Sequence, residues 1–74
     1  MLFTIYLNKF FINIEKEVLE MLVAGRSNKE IGAALGIEER TVKAHVAKLM
    51  RKVGVQNRIA LSVHAITHSL VTAK

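Results

Sequence analysis

Three glycines divide the chain beyond residue 14 into four segments, each with the apolar spacing of a helix. Gly25, Gly36 and Gly54 stand at the ends of the first three segments. Glycine commonly ends helices because it adopts the left-handed backbone conformation at little cost. The chain has no proline and only four glycines, a composition that suits helices joined by short turns better than sheets. We therefore predict an all-α fold.

The helix boundaries follow from capping residues and apolar periodicity. The predicted helices are Glu15–Ala24, Asn28–Leu35, Glu39–Val53 and Arg58 to about Val71. Ser27 with Glu30 forms a capping box before the second helix, and Asn57 is a good cap for the fourth. Two helices joined by a three-residue turn that starts with Gly36 form a helix-turn-helix. The fold class is therefore a four-helix helix-turn-helix domain.

Chain length and composition limit the organisation to one small domain. The 74 residues contain no cysteine, which excludes disulfides and thiolate metal sites. All four aromatic residues lie in the first eleven positions. We assign residues 1–12 to an apolar N-terminal extension and residues 13–74 to the helix-turn-helix domain.

The third helix carries the strongest functional signal. The chain has a net charge of +5, from eleven basic and six acidic residues, which favours a polyanionic partner. Helical periodicity places Val42, Val46, Leu49, Met50 and Val53 on one face. The opposite face carries Arg40, Lys43, Ala44, Ala47, Lys48 and Arg51.

This opposite face suits double-stranded DNA. Small residues let a helix approach the floor of the major groove, and long cations reach bases and phosphates. No acidic residue occurs from Arg40 to Arg51, whereas a solvated helix surface usually mixes both signs. A merely solvated face is the alternative interpretation.

Residues at three helix starts are predicted to contact DNA phosphates. Thr41 can offer its hydroxyl group near the start of the third helix. Lys29 stands at the start of the second helix, and Asn57 and Arg58 stand at the start of the fourth, where free N–H groups attract anions. For Ser27 and Asn57 we expect capping to be the main role.

Five blocks of the sequence, taken in order, carry a family resemblance: Glu15–Leu19, Ala24–Ile31, Leu35–Ile37, Thr41–His45 and Arg51–Arg58. Together they resemble a LuxR/FixJ-type helix-turn-helix domain. The resemblance covers about residues 11–70, and the family consists of bacterial transcription regulators. It implies that the third helix enters the major groove and that the fourth helix serves dimerisation.

The resemblance also assigns individual positions and shows three departures, one of which is Ile12 in place of the threonine that usually caps the first helix, where Asn13 is the alternative cap. It implies base-edge contacts from Lys43, Ala44 and the position of Ala47. Some family members carry a long polar residue where this chain has Ala47, so we expect sparser base readout. Glu38 stands where serine or threonine usually caps the third helix, which predicts a weaker cap.

The fourth helix has two apolar stripes. Ile59, Val63, Ile66 and Leu70 have core spacing and are predicted to pack on the domain. The other stripe is predicted to form a homodimer contact and consists of Leu61, His64, Ala65 and His68. The alternative is a helix that is simply more buried than average.

Other functions find little support in the sequence. His64 and His68 lack a third metal ligand, and we expect no metal site, no cofactor and no enzymatic activity. The glutamates at 15, 17 and 20 are interpreted as ordinary solvated helix positions. No apolar run is long enough to span a bilayer and no signal peptide is evident, which favours the cytoplasm.

The predicted partners are double-stranded DNA, a second copy of the chain and, for a transcription regulator, RNA polymerase, with no membrane partner. Two rivals remain open: a small helical protein-interaction module and a membrane-surface module, each using the basic face.

Overall fold

The computed structural model describes residues 13–68 and contains four helices in that range. They are α1 (Asn13–Val23), α2 (Asn28–Leu35), α3 (Glu39–Val53) and α4 (Arg58–Thr67). The described range contains no strand, and the predicted all-α helix-turn-helix fold is confirmed. The predictions for residues 1–12, and those for Leu70 and Val71 at the end of the fourth helix, lie outside the described residues.

The predicted glycine stops lie where α2 and α3 end. Gly36 has φ of 71° and Gly54 has φ of 79°, both in the left-handed region. Their backbone N–H groups donate to the carbonyl oxygens of Gly32 and Met50, which would otherwise lack a helical partner. The tight turn after α2 fixes the entry of the chain into α3.

The core draws on all four helices, and α3 packs against each of the other three. Its buried apolar residues are Val18, Leu19, Leu22, Ile31, Val42, Val46, Leu49, Leu61 and Ala65. Leu35, Ile37, Met50 and Val53 pack at its margin. The predicted apolar face of α3 is therefore confirmed. Removal of this apolar surface from water is the main stabilising contribution to so small a fold.

The predicted orientation of α4 is wrong. Leu61 and Ala65 are both 0% exposed, whereas Ile59, Val63 and Ile66 are 77%, 53% and 43% exposed. Both stripes are apolar, so periodicity identifies them without indicating which one faces the bundle. Leu61 and Ala65 pack against α1 and α3, and the stripe of β-branched residues (Ile59, Val63 and Ile66) faces outward.

Gly32 permits the close approach of α2 to the turn that follows it. A Cβ atom at this position would lie 2.7 Å from the backbone oxygen of Ile37 and 3.5 Å from Cγ2 of Val42. Real Cβ atoms do not approach a backbone oxygen so closely, and that oxygen cannot rotate away. A residue without a Cβ atom is therefore needed at position 32 for the angle between α2 and α3.

Gly32→Val should destabilise the domain by about 1–3 kcal/mol, the usual cost of overpacking a close contact. Valine adds the crowded Cβ atom and two further methyl groups, so α2 must move away from the turn. Chemical denaturation followed by circular dichroism measures the effect. Gly32→Ala, which adds only the Cβ atom, should lose less, and equal stability of the valine variant and the wild type would contradict the packing described.

Candidate nucleic-acid interface

The basic face of α3 is exposed as predicted. Exposed side chains on this face are those of Arg40, Lys43, Ala44, Lys48 and Arg51. Thr41 and Ala47 are half-buried. The opposite face is buried in the core, so the bundle holds these side chains on a rigid element. The surface therefore has small side chains in its middle and cations along its edges.

The start of α3 is weakly capped, as the sequence predicts. Glu38 occupies the cap position but its side chain makes no capping hydrogen bond. Its carboxylate accepts a hydrogen bond from Nε of Arg40 at 3.1 Å, with the two side chains 70% and 85% exposed. Ion pairs so exposed contribute little, about 0–1 kcal/mol. Arg40 can therefore leave Glu38 and bind another anion with little loss of free energy.

The start of α2 has the predicted capping box. The backbone N–H of Glu30 donates to Oγ of Ser27 at 3.1 Å, and the N–H of Ser27 donates to Oε1 of Glu30 at 2.9 Å. The hydrogen bond from the Ser27 backbone holds the pKa of Glu30 below its ordinary value. The carboxylate therefore stays ionised at neutral pH, and the cap weakens only as the pH falls towards the lowered pKa.

Arg58 joins the starts of α2 and α4. Its guanidinium group donates to the carbonyl oxygen of Arg26 at 2.7 Å and to Oδ1 of Asn28 at 2.5 Å. Asn57 caps α4 by accepting a hydrogen bond from the N–H of Ala60 at 2.8 Å. The two helix starts were expected to act as separate phosphate sites, but Arg58 brings them together. The guanidinium group of Arg58 is engaged within the protein, whereas Lys29, the next residue after Asn28, is exposed.

Glu15 is the important residue that the sequence interpretation missed. It was expected to be solvated, yet it is 0% exposed. Its Oε1 atom accepts a hydrogen bond from Nζ of Lys52 at 2.8 Å, and its Oε2 atom lies 3.5 Å from Nζ of Lys48. The available signal was its spacing from Val18 and Leu19, which places it on the buried stripe of α1.

The histidines assigned to dimerisation stand away from the exposed stripe of α4. The rings of His64 and His68 stack with centroids 4.0 Å apart. At 100° per residue, His64 lies roughly 100° and His68 roughly 140° around the helix from Val63 in that stripe. Among residues 13–68 no group of three metal-ligating side chains occurs, and no helix there is long and apolar enough to cross a membrane.

The sequence matches the family described as bacterial regulatory proteins, luxR family, over residues 13–65. It is 46% identical over 56 residues to the uncharacterized transcriptional regulatory protein YhcZ of Bacillus subtilis (strain 168). The matched region covers 76% of this chain and 26% of that protein. It is 45% identical over 49 residues to the nitrate/nitrite response regulator protein NarP of Escherichia coli (strain K12). That match covers 66% of this chain and 23% of the relative.

The fold is also similar to a solved structure, that of the transcription factor GerE. The TM-score is 0.81 at 26% sequence identity, and the match covers 88% of this chain and 97% of that one. The chain spans about a quarter of the length of the two curated relatives. The family match, the relatives and the shared fold agree, and the chain belongs to the luxR family of bacterial regulatory proteins.

Proposed function

We propose that this domain binds double-stranded DNA sequence-specifically, with α3 in the major groove, as the DNA-binding part of a bacterial transcription regulator. The observation that carries the proposal is the exposed face of α3, where cations surround small residues and no carboxylate occurs from Arg40 to Arg51. This face is the size and charge that a major groove accepts. Family membership supports the same function.

Base readout is assigned to the small residues in the middle of this face and to Lys43 at its edge. Lys43 is exposed and can donate to O6 and N7 of guanine. Ala44 and Ala47 let the helix backbone approach the groove floor, and their methyl groups can contact thymine methyls. Because Lys43 is the one long polar side chain among these three residues, the domain reads few base pairs directly.

Phosphate contacts are assigned to the rim of the face. The proposed contacts come from Lys29, Arg40, Thr41, Lys48, Arg51 and the joined helix starts at Asn57 and Arg58. Phosphates attach to such cations and to free N–H groups at helix starts. The guanidinium group of Arg58 already donates to Arg26 and Asn28. We therefore assign Arg58 to holding the starts of α2 and α4 together.

A homodimer through α4 is the proposed DNA-bound state, with its surface revised to Ile59, Val63 and Ile66. These side chains recur at i, i+4 and i+7 and are exposed, so they form one apolar stripe on the outside of the bundle. A two-fold interface requires a self-complementary surface, which an apolar stripe provides. Two half-sites also multiply the discrimination that one short helix supplies.

In the whole regulator, RNA polymerase is the further proposed partner. The proposed place of action is the bacterial cytoplasm, where the chromosome lies.

Selection of bound sites from a pool of random duplexes tests the function. We expect enrichment of one short half-site, repeated about one helical turn apart if the domain binds as a dimer. A salt titration on the selected duplex should show affinity falling steeply as salt rises. Binding to anionic vesicles or to an acidic protein, without enrichment of any duplex sequence, would reject the proposal.

Lys43→Ala should weaken binding to the selected site by about 1–3 kcal/mol and relax the preference at one base pair. The reason is that Lys43 is assigned to a base edge, so its loss matters less on random DNA. Fluorescence anisotropy on cognate and scrambled duplexes measures both losses. Arg51→Ala is the matched control, with equal loss on both duplexes; the same equal loss for Lys43→Ala would make Lys43 a phosphate contact.

A further inference from the structure

A buried carboxylate lies directly behind the proposed DNA-binding surface. Glu15 is fully buried on α1, and its two oxygens face two lysines that are one turn apart on α3. Lys52 is mostly covered, with its side chain 26% exposed, whereas the side chain of Lys48 is 56% exposed. The three groups therefore carry two positive charges and one negative charge, and only one ammonium group is well placed for solvent or DNA.

The pairing makes Lys48 different from the other cations of α3. Arg40 pairs with an exposed glutamate, which is screened by water. The partner of Lys48 is desolvated, so its charge is less screened and its attraction for the ammonium group is stronger. A phosphate that approaches Lys48 meets the field of the carboxylate behind it as well as that of the ammonium.

We propose that Glu15 is a positioning residue of the DNA interface that holds the Lys48 ammonium group in place and reduces its effective charge towards phosphate. Such attenuation limits the affinity that all duplex sequences share. Because it lowers cognate and random binding by about the same factor, it leaves the ratio of the two affinities unchanged. This inference rests on the proposed DNA-binding function.

Glu15→Gln tests the proposal because it keeps the shape of the side chain and removes its charge. We expect binding to random duplex DNA at moderate salt to strengthen about three- to tenfold, as expected for removing one negative charge several ångströms from a phosphate. The plot of log affinity against log salt should steepen by up to about one, because Lys48 then displaces a full counterion. The ratio of cognate to random affinity should stay unchanged, because the same phosphate contact is strengthened on both duplexes.

Two controls separate this role from simple net charge and from folding. Glu17→Gln makes the same charge change at an exposed position of α1 and should leave the salt slope unchanged. In a Lys48→Ala background, Glu15→Gln should no longer steepen the slope. A steepening of equal size in the Glu17 variant, or an unchanged slope in folded Glu15→Gln, would overturn the proposal.

A second comparison decides the matter if Glu15→Gln fails to fold. In the wild-type background, Arg51→Ala should shallow the salt slope by about one, as for a fully charged phosphate contact. Lys48→Ala should shallow it by clearly less, because Glu15 already offsets part of its charge. Equal changes would overturn the role of Glu15 while leaving DNA binding intact, whereas a wild type that binds no duplex would reject the proposed function itself.

Discussion

Ala44→Glu is expected to abolish duplex binding while the domain remains folded. Ala44 is exposed in the middle of the basic face of α3, where a longer side chain would prevent the helix from reaching the groove floor. The added carboxylate would also face phosphates and base acceptors, and like-charge contacts in an interface cost several kcal/mol. We expect at least a roughly hundredfold loss of affinity, about 2.7 kcal/mol, in anisotropy titrations on the selected duplex.

Exposed substitutions usually change stability by less than about 0.5 kcal/mol, so thermal unfolding should match the wild type. Ala34→Glu is the matched control, since Ala34 is an exposed alanine on α2 outside the basic face. It should bind the duplex almost normally, with a small loss from the change in net charge. Normal binding by Ala44→Glu would mean that another surface contacts DNA.

The sequence predicted α2 and α3 closely because several independent signals agree there. Ser27 and Glu30 mark the start of α2, and Gly36 and Gly54 mark the ends of α2 and α3. The apolar and basic residues of α3 separate cleanly onto opposite faces, so only one orientation buries the apolar face. The fold class and the exposure of the basic face of α3 both follow from these local patterns.

The remaining features depend on contacts between segments distant in the chain. Two apolar stripes on α4 satisfy the same periodicity, and only packing against α1 and α3 determines that Leu61 is buried. The contact from Arg58 to Asn28 joins residues 30 positions apart, and that from Glu15 to Lys52 joins residues 37 positions apart. A charged residue on an apolar stripe signals burial only if its partner can be identified, and helical periodicity does not supply that partner.

Leu61→Lys should unfold the domain. Leu61 is fully buried in the core, and loss of a buried leucine alone costs about 2–5 kcal/mol. The lysine adds the cost of placing an ammonium group among apolar side chains, which is several kcal/mol when no partner is present. A small domain has little more stability than this. Circular dichroism at 25 °C should show loss of most helical signal, and duplex binding should disappear with it.

Val63→Lys places the same side chain half a helical turn away and should have a different effect. Val63 is 53% exposed in the middle of the outward stripe, so the lysine reaches water and the domain stays folded. In a two-fold dimer through α4, each lysine would face its symmetry mate, and the repulsion should reduce binding to two half-sites more than binding to one. A folded Leu61→Lys would contradict the orientation of α4. Equal losses of Val63→Lys on both duplexes would instead count against the α4 dimer alone, because the fold and the orientation of α4 do not depend on that dimer.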